Sequence, residues 1–149
     1  MGWVKFIIIT IIVSVVGFAI YQKNIVNPAV ARELRGQPDG LRAERVMLMT
    51  IDESYTIPVN YLLEDEVVYV GADGPWWREF TGEGVPVALL IKGKVYAGQA
   101  RAIVEQPEFT ADVFKRLRPR MPQWIPDMFN GVLVQIDLHA GTGIEGERW

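Results

Sequence analysis

Between Ile57 and Val70 the sequence commits itself to a β-hairpin. Ile57, Val59, Tyr61 and Leu63 fall two apart, so on an extended chain they share one face. The polar run Glu64-Asp65-Glu66 then turns the chain, and Val67-Val68-Tyr69-Val70 supplies the returning strand. A glycine-bearing turn, Gly71-Ala72-Asp73-Gly74, carries the second strand into Pro75-Trp76-Trp77, which reads as a short helical turn. A fold for this chain must therefore surround a hairpin that ends in two adjacent indoles.

The flanking segments supply the surround. Val46-Met47-Leu48-Met49-Thr50 is wholly apolar apart from its last residue and reads as a strand buried on both faces or at a barrel seam. Pro58 marks its own strand as an edge or bulge, because proline cannot donate to a ladder. Pro86 to Ile91 and Val95 to Glu105 form a second hairpin about Lys92-Gly93-Lys94. In its return strand Tyr96, Gly98, Ala100, Ala102 and Val104 share a face, and the small residues admit close approach by another strand or a flat ligand. Val132 to Leu138 is a final strand, with Val132, Val134, Ile136 and Leu138 inward. About six strands joined largely as hairpins make a small antiparallel barrel the economical architecture, mainly β with flanking helices.

Two helices are signalled in the soluble part. Asn27 can cap, Pro28 suits the first helical position and Gly36 the position after the end, with Val30 and Leu34 on one face. Pro107 to Arg118 carries a stripe of Phe109, Val113, Phe114 and Leu117, basic residues in its last turn, and a stop at Pro119. Ahead of both, Met1 to Tyr21 is an apolar run of the length that a spanning helix needs, with Trp3 and Tyr21 at its ends. Gly17-Phe18-Ala19 also resembles a signal-peptide cleavage site, but the lone Lys5 before the run and its β-branched bulk favour an uncleaved anchor. Lys23, Arg32 and Arg35 follow the span, which favours a cytoplasmic soluble domain and a single-pass protein of the cell membrane. The expected organisation is an anchor over residues 1–22, a barrel domain over 27–139 and a loose tail over 140–149.

Composition narrows the chemistry. The chain of 149 residues has no cysteine, which excludes thiolate metal sites, and its one histidine, His139, is too few for most histidine-built metal centres. A net charge of -3 argues against a nucleic-acid partner.

The order of these words resembles the deazaflavin-dependent nitroreductase family, a branch of the flavin-binding split barrels that include pyridoxamine-phosphate oxidases. The likeness runs from Asn27 to Leu138: Asn27-Pro28 opening a helix, Val46 to Thr50 as the first strand, Pro58-Val59-Asn60-Tyr61, Pro75-Trp76-Trp77-Arg78-Glu79-Phe80, and Val95-Tyr96-Ala97-Gly98-Gln99-Ala100-Arg101. The resemblance implies a split β-barrel that binds coenzyme F420 or FMN. It places cofactor contacts at Asn60, Ala72, Gly74, Trp76, Trp77 and Arg78 and a substrate contact at Trp124. It also implies that two barrels can pair as a homodimer. Trp76 and Trp77 can wall a planar ring; equally, one can belong to the core while the other covers a barrel end. Arg78 can meet a phosphate or make a surface ion pair.

Two functions follow. One is a membrane-anchored, F420- or FMN-dependent oxidoreductase that passes hydride to a lipophilic acceptor, a quinone or a nitroaromatic. The other is a tethered, non-catalytic binding module, because the turn where the family holds its cofactor phosphate is Ile51-Asp52-Glu53-Ser54-Tyr55 here, acidic instead of basic.

Overall fold

The computed structural model describes residues 2–53, 55–122, 124–126 and 130–145. Helix α1 spans Gly2–Tyr21, one π-helical turn spans Gln22–Val26, and α2 spans Asn27–Gly36. Then follow β1 (Val46–Ile51), β2 (Tyr55–Glu64), β3 (Val67–Ala72), a 3-10 helix (Pro75–Phe80), β4 (Val85–Ile91), β5 (Lys94–Ile103), α3 (Pro107–Leu117), β6 (Val132–Leu138) and the short β7 (Ile144–Glu145).

Six strands close on themselves in the order β4-β1-β2-β3-β6-β5, with β5 returning to β4, and every pairing is antiparallel. The expected barrel is thus realised, and each strand divides its residues between inside and outside. Met47, Met49, Ile51, Ile57, Val68, Val70, Leu89, Ala100, Val134 and Ile136 fill the interior. The β1 run is buried on both faces because its odd residues point into the barrel while Leu48 points out, under α2. There Val30, Ala31 and Leu34 meet Leu48, Leu90 and Ala43. On the opposite side α3 covers Leu133, Leu62 and Tyr69 with Phe109, Val113, Phe114 and Leu117. Gly98 is the close approach expected of the small-residue face, and what approaches is β6: a Cβ there would lie 2.8 Å from Ile136 Cγ2 and 2.9 Å from the Asp137 carbonyl oxygen.

Three local expectations are corrected. Asn27 does not cap α2, since Val26 and Asn27 both have helical dihedrals and the helix continues unbroken from α1. Pro28 has no N–H and its ring would crowd the carbonyl of Asn24, so the chain widens into a π turn in which Asn27 N–H reaches the Gln22 carbonyl. Gly36 is likewise the last helical residue, not the one beyond it. The tail is not wholly loose, because Ile144 and Glu145 pair with Val95 and Lys94 on the β5 edge. Residues 146–149 lie outside the described residues.

Trp3–Gly36 is the one helix among the described residues that is long and apolar enough to cross a membrane by length and composition. Its large side chains stand free of the barrel; Phe6, Ile9, Val13 and Phe18 are all strongly exposed. Since α2 is packed on β1 and is continuous with α1, the apolar helix and the barrel are joined without a flexible linker.

Candidate functional site

The barrel wall opens between β2 and β3. Tyr61 N–H donates to the Arg45 carbonyl at 2.9 Å, so the odd-numbered peptide groups of β2 face β1 and those of Thr56, Pro58 and Asn60 face the other way. Leu138 N–H donates to the Glu66 carbonyl at 2.9 Å, which by the same alternation turns Gly71 toward β2. The β2–β3 ladder nevertheless stops at Tyr61↔Val70. That last pair is closed by Gly71 N–H on the Asn60 carbonyl, and beyond it the edge of β2 at Thr56 and Pro58 has no strand partner across the gap. Pro58 is tolerated there because its missing N–H would have pointed into the opening.

The opening is a cleft of about 250 Å³. Ile57, Val59 and Trp76 make its apolar wall, while Asn60, Gly71, Asp73 and Arg118 form the opposite rim. Asn27 and Tyr55 also line it. Trp76 is held edge-to-face against the fully buried Phe80, with ring centroids 5.8 Å apart. Asn27 is six residues past Tyr21, the last residue of α1, or about 9 Å at ~1.5 Å per residue.

Arg118, which sequence patterns place merely at the end of a helix, is central. Its side chain is 18% exposed and its Nη2 donates to Asp73 Oδ1 at 2.8 Å. Its guanidinium lies 5.2 Å from the Phe114 ring centroid. Gly71 makes room for both, since a Cβ there would fall 2.7 Å from Arg118 Nη2 and from Phe114 Cε1. No local signal at position 118 foretells this, because the space is created 47 positions earlier in the chain.

The residues expected at the site divide. Asn60 and Trp76 line the cleft together, and Gly74 lies beside Trp76, where a Cβ would stand 3.3 Å from the indole Cδ1. Ala72 points into the barrel core, 2% exposed, because it belongs to the inward set of β3. Trp77 packs on the interior cluster but does not line the cleft, and Arg78 is stacked over it at 5.6 Å. The wall is one indole, not two. Trp124 stands 81% exposed outside this cleft. Asp52 and Glu53 are exposed at the β1–β2 turn in the left-handed region, with φ of 52° and 55°.

At the barrel's far end Tyr61 donates its hydroxyl to the Ala43 carbonyl at 2.9 Å. Burial, with help from Glu44 and Tyr96, pushes its phenol up from 10.0 to about 12. Among the described residues no cluster of three or more metal-ligating side chains occurs.

No known protein family profile matches the sequence, and neither does any curated protein. Solved structures do. A protein of Listeria innocua, named as a candidate pyridoxamine 5′-phosphate oxidase, superposes with a TM-score of 0.52 at 15% identity, over 66% of this chain and 88% of that one. The fold is the pyridoxamine-phosphate-oxidase-like split barrel. Two weaker likenesses are an FAD-binding protein of Mesorhizobium loti (TM-score 0.44, 16% identity, 70% of this chain and 88% of that one) and an F420 reductase (TM-score 0.44, 11% identity, 64% and 87%). The fold assignment rests on the first.

The split barrel's cleft fits a flat heteroaromatic ring in kind. Ile57, Val59 and Trp76 give it apolar surface for a ring face. The rest of its lining is largely polar and adjoins the unpaired edge of β2 at Thr56 and Pro58, which a ring edge with donors and acceptors can meet. Its volume, about 250 Å³, falls below the roughly 300–1,000 Å³ of ordinary ligand pockets, so a tail on such a ring must lie outside it.

Proposed function

We infer that this split barrel is a membrane-anchored oxidoreductase that binds a flavin or deazaflavin, FMN or coenzyme F420, in the opening between β2 and β3. The supporting observation is the unpaired edge of β2 at Thr56 and Pro58, beside a cleft that Ile57, Val59 and Trp76 line with apolar surface. When bound, the reduced ring supplies a hydride, which with a proton from water converts a quinone-like acceptor to its quinol. Nitroaromatics are acceptors of the same kind.

The chain's own residues bind and orient. Trp76, braced by Phe80, would offer an indole face to the ring, and the open edge of β2 would meet its polar atoms. The interior cluster behind Ile57 and Val59 excludes water from that side. No acid–base dyad is required for this chemistry.

The helix gives the acceptor its class. With α1 in a bilayer, Asn27 of the cleft lining would lie about 9 Å beyond the span, near headgroup depth. Membrane lipid is then a partner through α1, and a lipophilic acceptor reaches the cleft from the bilayer side. Lys23, Arg32 and Arg35, which follow the span, support a barrel on the cytoplasmic face. A homodimer is compatible with this arrangement.

The test is turnover by the full chain in vesicles loaded with a long-chain quinone and supplied with reduced F420 or reduced FMN. Quinol formation that falls at least tenfold in Trp76→Ala supports the reading; a rate equal to the cofactor alone defeats it. The acidic turn at Asp52 and Glu53 favours a second reading, a non-catalytic split-barrel binding module. Binding without turnover by any quinone or nitro compound would select it.

A further inference from the structure

The cleft in the split adjoins a second one, and the two share Asn60 and Arg118. This neighbour, about 290 Å³, lies between the chain entering β1 and the end of α3. It is lined by Arg45, Arg116, Arg118 and Arg120, against a single carboxylate, Glu44.

The charges there are not equally committed. Glu44 is bound to Lys92 Nζ at 2.7 Å. Arg116 is held by Glu64 and by Asp112, the latter at 3.0 Å. Arg118 has Asp73 at 2.8 Å, a carboxylate that is 70% exposed and so a weak competitor for the guanidinium. Arg45 and Arg120 are exposed and make no ion pair among the described residues. The last carbonyls of α3 add partial negative charge here, so any anion must be held by the side-chain cations alone.

We propose that Arg45, Arg118 and Arg120 form an anion site for a phosphate group in the cleft beside the barrel's split. The chemistry is that of guanidinium forks, which match a phosphate's oxygens in pairs. The site answers two features left open above. The β1–β2 turn is acidic and repels phosphate, while the split is too small for a ring and its tail together. A ring in the split would send its phosphate past Asn60 and Arg118 into the arginine cleft. The neighbouring cleft in the split is lined by Asn27, six residues past α1, so the phosphate of an anionic lipid is the other source of this chemistry.

The experiment uses the full chain and the double variant Arg45→Gln/Arg120→Gln, both exposed positions whose change leaves the core intact. Inorganic pyrophosphate, titrated by calorimetry in detergent, reports the site without any ring. FMN against riboflavin reports whether the phosphate belongs to the cofactor, and this arm alone rests on the flavin reading. Nanodiscs of phosphatidylcholine with or without phosphatidylglycerol report the lipid source, through the thermal midpoint.

The wild-type chain is expected to show at least one preference: pyrophosphate binding, an FMN advantage of about tenfold over riboflavin, or a higher midpoint with phosphatidylglycerol. The double variant should lose that preference while riboflavin affinity stays unchanged. A response in the FMN arm assigns the phosphate to a soluble ligand, and one confined to phosphatidylglycerol assigns it to lipid. Pyrophosphate binding without flavin binding keeps the anion site and removes the ring. The proposal is overturned if no arm shows a preference, or if the double variant keeps the one that wild type shows.

Discussion

Replacing Gly71 with alanine tests the packing on which the cleft depends. The added Cβ would stand 2.7 Å from Phe114 Cε1 and 2.7 Å from Arg118 Nη2, both well inside van der Waals contact. Arg118 can swing its guanidinium away at the cost of its Asp73 pair, and with Asp73 70% exposed that loss is under about 1 kcal/mol. Phe114 has no such freedom, because it is 2% exposed and packed with Val113 and Leu133. Overpacking of this kind costs about 1–3 kcal/mol. For a domain of this size that lowers the thermal midpoint by roughly 3–10 °C. The assay is thermal unfolding of the full chain in detergent, followed by near-ultraviolet circular dichroism. Phe114→Leu in the same background should recover part of the loss, a coupling of about 1 kcal/mol between neighbours. A midpoint unchanged within a degree in Gly71→Ala, with no coupling to position 114, would refute the packing of Arg118 and Phe114 against β3.

Three further outcomes are expected. Leu48→Ala empties a fully buried position between β1 and α2 and should cost about 2–5 kcal/mol in denaturant unfolding; a loss below 1 would mean that α2 does not seat there. Gly131→Ala places a Cβ 2.3 Å from the Ala72 carbonyl oxygen at a φ of 76°, so left-handed strain and overpacking together should cost roughly 2–5 kcal/mol, read by the same unfolding. For Tyr61 the phenol is raised from 10.0 to about 12, so the unfolded chain ionises first. Its stabilising effect is complete below pH 10 and declines between 10 and 12. Tyr61→Phe should cost about 1 kcal/mol at neutral pH and flatten the fall in midpoint across that window; an equally steep fall in the variant would contradict the assignment.

What the sequence makes legible is what local periodicity controls. Ile57, Val59 and Tyr61 alternate because one face is core, and the structure turns those three inward. Val46 to Thr50 reads as doubly buried because helix and barrel interior cover its two faces. The stripe of α3 is legible for the same reason. The helix through residues 22–27 misleads, since Asn-Pro is a strong start signal and only packing of α2 on β1 keeps the axis continuous through a π turn. Within the site, Trp76 and Asn60 are readable from the words that carry the family likeness. Arg118 is not, because its place depends on Gly71 and Asp73 across the fold. Nor is the split itself, for the register that ends at Tyr61↔Val70 is set by the barrel's closure and not by either strand alone.

The most direct measurement of the central claim is a titration of the detergent-solubilised full chain with F420 and with FMN, reading tryptophan fluorescence. If a planar ring seats between β2 and β3 against Trp76, wild type shows saturable quenching that Trp76→Phe largely loses and Trp77→Phe retains. Absence of saturable quenching with both cofactors, or quenching that follows Trp77 instead, contradicts a ring in the split.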